Sequence, residues 1–188
     1  MNSYPRTEKY DQHFLSQNFM GPNALLMLDE ITQSIKLTRG MRVLDLGCGK
    51  GLTSIFLAKE YGVQTFAVDL WITATENYQR FLQLDVDDLV IPIHADAAEA
   101  LPFADLYFDA LISVDAYHYF GNHDDYFEKL LKPLVKKGAP VAIAIPGTKE
   151  ELNGIIPDAL KPFLDDEGFA TLHCMAWWTE ILEKHLDD

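Results

Sequence analysis

Leu25, Leu26, Leu28, Ile31 and Ile35 recur at the spacing of one helical face, and Gly40 is the stop expected for that helix. Beyond it, short apolar runs alternate with helical patterns. Arg42 to Leu46 runs into closely spaced glycines and reads as a buried strand. Leu52, Ile55, Phe56 and Leu57 continue as a helix to Tyr61-Gly62, and Gln64 to Asp69 forms the second strand. A helix follows from Thr73 to about Leu84, then a third strand from Leu89 to His94. Pro92 inside that run favours a sheet edge, since proline cannot donate to the ladder. Phe108 to Val114 is the fourth strand, Asp124 to Leu134 a helix, and Val141 to Pro146 the fifth strand. Five strands separated by helices predict an α/β, doubly wound parallel sheet, with an edge third strand suiting the order 3-2-1-4-5. A final helix is expected from Thr179 to Leu186, opened by Trp177 and Trp178.

The most informative stretch joins the first strand to its helix: Asp45-Leu46-Gly47-Cys48-Gly49-Lys50-Gly51. Gly47 and Gly49 permit a tight turn and close approach of a ligand to the backbone, and the helix behind them opens with free N–H groups. Packing alone can also select glycine there. Asp69 adds weight. It ends the second strand about 20 residues on, where a carboxylate reaches a ribose diol; the plainer reading is a cap for the next helix. Nicotinamide-binding and methyl-transfer proteins share these features. The spacing here is G-x-G-x-G, with Leu52 where the dinucleotide pattern G-x-G-x-x-G places its last glycine. That glycine would seat a pyrophosphate over the helix. Asp45, just ahead of the glycines, suits the ammonium and sulfonium of S-adenosylmethionine better than a diphosphate.

Taken together, VLDLGCGKG, FAVD, HADAAEALPF and FDALISVDAYHYF resemble the successive motifs of class I S-adenosylmethionine-dependent methyltransferases, across about residues 40 to 146. The nearest flavour is the small bacterial type acting on small molecules or lipids. The resemblance implies a Rossmann-like sheet and a cofactor site built from Asp45, Gly47, Cys48, Gly49, Asp69, Leu70, Asp96, Ala97, Ser113 and Asp115. Gly47 and Gly49 would contact the methionine portion, Asp69 the ribose, and Leu70 the adenine face. Asp96 would meet the adenine amino group and Ala97 would offer a backbone N–H. Ser113 to Ala116 would line the floor near the methyl. The single domain would divide into an N-terminal lid and helix (1–38), a cofactor-binding core (39–148) and a helical C-terminal segment (149–188).

Methyl transfer needs positioning and desolvation before it needs a base. His118 and Tyr117 are the catalytic candidates, near the carboxyl end of the fourth strand. A histidine in an aromatic run more often packs than reacts. The Asn/Asp-Pro-Pro-Tyr signature of enzymes that methylate adenine or glutamine amides is absent from Val114 to Tyr119. No metal is expected, and His123 and Asp124 read as a solvated helix start capped by Asn122. Tyr10, His13, Phe14, Phe19 and Met20, hinged at Gly21-Pro22, suit a lid over the cofactor or packing on the sheet edge. Trp177 and Trp178 suit closure of an acceptor pocket or ordinary core.

Charge narrows the partners. The net charge of −14 over 188 residues repels phosphate backbones and disfavours a nucleic-acid substrate. Two cysteines, one inside the glycine loop, read as free thiols, which with no signal-peptide core or membrane-length apolar run points to the cytoplasm. The family's antiparallel C-terminal hairpin has no counterpart after Pro146, so a truncated product with an open fifth strand, prone to dimerise, is the expectation. Two alternatives to an active enzyme stay open: a non-catalytic S-adenosylmethionine-binding domain and an NAD(P)-dependent oxidoreductase.

Overall fold

The computed structural model describes residues 6–153, 155–162 and 171–184. Five strands form one parallel sheet: β1 (Arg42–Leu46), β2 (Gln64–Asp69), β3 (Val90–His94), β4 (Ala110–Val114) and β5 (Val141–Ala144). Their order is β3-β2-β1-β4-β5, as the pattern predicts. Pro92 sits in the edge strand β3, opposite Ala67 of β2. The helices are α1 (Gln12–Asn18), α2 (Ala24–Thr32), α3 (Leu52–Tyr61), α4 (Ala74–Gln83) and α5 (Met175–Glu183).

The strands are apolar on both faces because both faces are covered. Alternation along each strand divides the interior in two. Val43, Ala67, Ile112 and Val114 face Leu25 and Leu28 of α2, Ile55 and Phe56 of α3, and Phe81 of α4. Leu44, Leu46, Phe66, Val68 and Leu111 face the opposite layer, with Tyr117, Tyr126, Phe127, Leu131 and Trp178. Helix starts follow from local chemistry. Asp11 and Asn23 accept the Phe14 and Leu26 N–H groups, and Thr73 with Glu76 forms a reciprocal capping box on α4. Upstream of α1, Arg6 donates to Asp29 of α2 at 2.9 Å and lies over the Phe56 and Tyr61 rings. That anchors the N-terminal segment on the first layer.

Several boundaries differ from the sequence reading. α2 ends at Thr32, well before Gly40. The region read as a helix from Asp124 to Leu134 contains a wide π-type turn over Phe127–Leu131 and then a 3₁₀ turn over Lys132–Leu134. Pro133 has no N–H to donate to a helical ladder, which accounts for the break. Asn122 does not cap it: Tyr126 holds the cap position, without a side-chain bond. β4 begins at Ala110, and Phe108 bridges Val135 instead. α5 opens before the two tryptophans, where Cys174 bridges Thr148; its expected end, Leu186, lies outside the described residues. Among the described residues no strand follows β5, and no helix is long and apolar enough to cross a membrane.

Candidate active site

The sheet reverses its order between β1 and β4. In such a sheet the crevice outside the strand ends at that point receives the ligand. A cleft of about 360 Å³ lies there. Its walls are the glycine loop, the turns after β2, β3 and β4, and residues 18–22 together with Ala24. A volume of that size suits a small-molecule ligand.

The glycine loop is fixed from several sides. Gly47 has φ +74°, and a Cβ there would lie 2.3 Å from the Ala116 Cβ. Gly51 has φ +78°, and its Cβ would lie 2.5 Å from the Phe81 ring. Backbone handedness and space therefore both demand glycine at these two positions. The Gly47 and Cys48 N–H groups donate to the Val68 carbonyl at 2.9 and 3.0 Å. Gly49 donates its N–H to Asp69 Oδ2 at 2.7 Å. The other Asp69 oxygen accepts from the Trp71 and Ile72 N–H groups at 2.8 and 2.9 Å. Asp69 thus joins the two loops that wall the cleft, and Thr73 rather than Asp69 caps α4.

A second set of bonds was not foreseen. Asn77 of α4 donates to the Gly49 carbonyl at 2.9 Å, and Arg80 donates to Asn77 Oδ1 and Asn18 Oδ1, each at 3.0 Å. Lys50 donates to the Gln17 carbonyl at 3.0 Å. These links tie the N-terminal segment to the glycine loop through α4. The available signal was Asn77 itself, a polar residue buried four positions before Phe81 on the inward face of its helix.

The sequence candidates separate into two groups. Gly47, Cys48, Gly49, Asp69, Leu70, Asp96, Ala97 and Asp115 all line the cleft. Asp45, Ser113, Tyr117 and His118 do not. Strand alternation turns Asp45 toward α3, where its fully buried carboxylate accepts from the Thr53 hydroxyl at 2.7 Å and from Ser54. Burial pushes its pKa up to about 6. Ser113 faces the opposite layer and donates to the Leu46 carbonyl at 2.8 Å. Tyr117 is fully buried among Phe120, Tyr126 and Trp178. His118 is 4% exposed and stacks on Tyr119, and desolvation lowers its pKa. Tyr119, two residues after Tyr117, reaches the cleft instead, because the turn after β4 is a tight 3₁₀ turn over Tyr117–Tyr119. Asp115 stands out in that turn. Its φ is +57°, an uncommon conformation for a residue with a side chain. Burial raises its carboxyl pKa. Trp177 and Trp178 lie in α5, where Trp177 stacks on His173 and Trp178 meets it edge-on, outside the cleft lining.

Residues 43–138 match the methyltransferase domain family. A Synechocystis 2-methyl-6-phytyl-1,4-hydroquinone methyltransferase is 32% identical over 108 residues, 57% of this chain and 33% of that protein. The Escherichia coli cyclopropane-fatty-acyl-phospholipid synthase is 30% identical over 130 residues, 67% of this chain and 32% of that protein. The chain therefore spans about a third of the length of the curated relatives it matches. Among solved structures, Haemonchus contortus phosphoethanolamine N-methyltransferase 2, in complex with phosphomonomethylethanolamine and S-adenosylhomocysteine, superposes with a TM-score of 0.73 at 25% identity. That match covers 89% of this chain and 38% of the other. A geranyl diphosphate C-methyltransferase from Streptomyces coelicolor gives 0.70 at 16% identity, covering 86% of this chain and 58% of its own.

Proposed function

The chain belongs to the family of methyltransferase domains, and from that premise we propose that it binds S-adenosylmethionine and transfers its methyl group to a small-molecule or lipid-like acceptor. The observation that carries the reading is the joint between the two loops, where Gly49 N–H meets the Asp69 carboxylate at the mouth of the switch-point cleft. When bound, the cofactor supplies a methyl carbon already activated by its sulfonium.

The residues present fit that molecule. Asp69 Oδ2 accepts one protein N–H and keeps a lone pair for a ribose hydroxyl. Leu70, half exposed beside it, offers a flat apolar contact to the adenine. Asp96 accepts the Ala98 N–H through Oδ1 only, which leaves Oδ2 for an exocyclic amino group, with the Ala97 backbone beside it. The bare backbone of Gly47 and Gly49 lets the methionine portion approach, with the Cys48 side chain alongside. No side chain caps α3, so its first N–H groups are available to a carboxylate. Asp45 and Ser113 act from behind: Asp45 fixes the first turn of α3 through Thr53 and Ser54, and Ser113 fixes Leu46 just ahead of the loop. Tyr117 and His118 position Tyr119 and the turn after β4 rather than touching the reacting atoms. The N-terminal segment is the lid of the cleft.

Calorimetry with S-adenosylhomocysteine and NADH, on the native sequence and on Asp69→Ala, tests this reading. S-adenosylhomocysteine is expected to bind, NADH is not, and the substitution should weaken the adenosyl compound by about 1.5–3 kcal/mol. NADH binding with no response to S-adenosylhomocysteine overturns the reading, and unchanged affinity in the variant removes Asp69 from the site. Asp69 is 8% exposed and accepts three N–H groups, so the variant also loses stability and is assayed below its melting range.

Three further readings rest on charge, cysteines and sheet pairing. The charge of −14 argues against a nucleic-acid acceptor. Two free, buried cysteines fit a cytoplasmic setting. The outer edge of β5, which pairs only with β4 among the described residues, fits association with a second copy.

A further inference from the structure

Two large aromatic side chains meet across the mouth of the cleft. Trp71, from the turn after β2, is 65% exposed, and Tyr119, from the turn after β4, is 53% exposed. Their ring centroids lie 5.4 Å apart at 58°. Tyr119 also contacts the His118 ring at 4.0 Å, so its position is supported from within the fold. Neither ring is needed for the core, and both line the cleft.

Asp115 lies within electrostatic reach of Tyr119. Its carboxylate has no hydrogen-bond partner among the described residues, unlike that of Asp69, which accepts three N–H groups, or Asp96, which accepts one. A Cβ added at Gly21 would lie 2.8 Å from Asp115 Oδ2, so the N-terminal segment closes directly over this carboxylate. One cationic side chain, Lys50, lines the cleft among the described residues, and its ammonium is already donated to the Gln17 carbonyl. The field offered to an acceptor is therefore negative, in a chain of net charge −14.

We propose that Trp71, Tyr119 and Asp115 form the acceptor subsite, and that it takes an alkylammonium group, with the aromatic faces holding the cation and the Asp115 carboxylate pairing with it. This rests on the methyl-transfer reading above and names the acceptor class for the same cleft. Aromatic faces attract a desolvated cation through their quadrupole, and a carboxylate adds the opposing charge. Both features favour a cation over a neutral group of the same shape, and the carboxylate repels an anion. The same carboxylate is placed to take the proton of a bound amine: the N–H bond breaks, its electron pair stays on nitrogen, and the proton moves to oxygen. Burial, which favours the protonated carboxyl, assists that transfer.

The test compares choline with 3,3-dimethylbutan-1-ol, its neutral carbon isostere. Binding is followed by nuclear magnetic resonance on the methyl signal of each probe, with and without S-adenosylhomocysteine. Choline should bind about tenfold more tightly than the alcohol. Asp115→Asn should abolish the preference and leave the binding of the alcohol unchanged. Asparagine tolerates the left-handed conformation at this position, so the variant is expected to fold. Trp71→Ala should weaken choline severalfold. Equal binding of the two probes, preference for the alcohol, or no choline binding overturns the proposal, as does a preference that survives Asp115→Asn. The S-adenosylhomocysteine arm is scored separately: choline bound selectively by a protein that ignores the adenosyl compound keeps the ammonium subsite and removes the methyl-transfer reading.

Discussion

The two sides of the cleft are built by different means. On the β1–β2 side nearly every polar group has a partner: Gly47, Cys48 and Gly49 donate to Val68 and Asp69, and Asn77 takes the Gly49 carbonyl. On the β4 side the surface consists of side chains on a short strained turn, with Asp115 unpaired among the described residues and Tyr119 half in solvent. The first side is specified by backbone geometry, which admits few sequences. The second is specified by what the side chains present to solvent, which admits many.

The comparison breaks most sharply at Gly47. Gly47→Ala combines a left-handed backbone with a Cβ 2.3 Å from Ala116, so a loss of about 3–5 kcal/mol is expected in urea unfolding. A variant as stable as the native sequence would mean that the β1 side is not tightly determined.

A second measurement asks what that tight side costs. The buried Asp45 carboxyl, with its pKa raised to about 6, keeps a proton that the unfolded chain releases near pH 4. The native state binds more protons in that window, so stability falls as pH rises from about 4 to about 6 and stays reduced above it. Asp45→Asn carries no such proton. Its stability relative to the native sequence should improve by about 2 kcal/mol between pH 4 and pH 7, measured by paired urea unfolding. Parallel profiles for the two proteins would place the charge elsewhere.

The smallest effect is expected at the mouth of the cleft, where Trp71 from the turn after β2 meets Tyr119 from the turn after β4. Trp71→Ala removes a large side chain that is mostly in solvent, so unfolding free energy should move by no more than about 0.5 kcal/mol. A larger loss would make Trp71 a structural residue and erase the distinction between the bonded backbone of the cleft and the side chains at its mouth.

The same distinction explains what the sequence made legible. Strands β1 to β5 and their order could be read because each strand needs an apolar run and each crossover a helix. The glycine loop could be read because Gly47 and Gly51 have no substitute. The face of Asp45 was not legible, because its place in the motif does not set it; alternation with Val43 and Leu44 turns it toward α3. Which of Tyr117, His118 and Tyr119 lines the cleft was not legible for a related reason. A 3₁₀ turn, not a strand or an α-helix, sets which of three adjacent aromatic residues faces out, and no periodicity in the sequence distinguishes them. The Asn77–Gly49 link lay hidden because it depends on a loop and a helix meeting across 28 residues.

That link also bears on timing. Asn18 is joined to Arg80, and Gln17 to Lys50, so two hydrogen bonds from cationic donors hold residues 17 and 18 against the wall of the cleft. They lie on different elements, α4 and the glycine loop, which Asn77 joins through the Gly49 carbonyl. A bound molecule beneath that segment is released when both are open at once. Its residence time then depends on one concerted opening of two linked anchors, and exchange can be paced by that opening rather than by events beneath it.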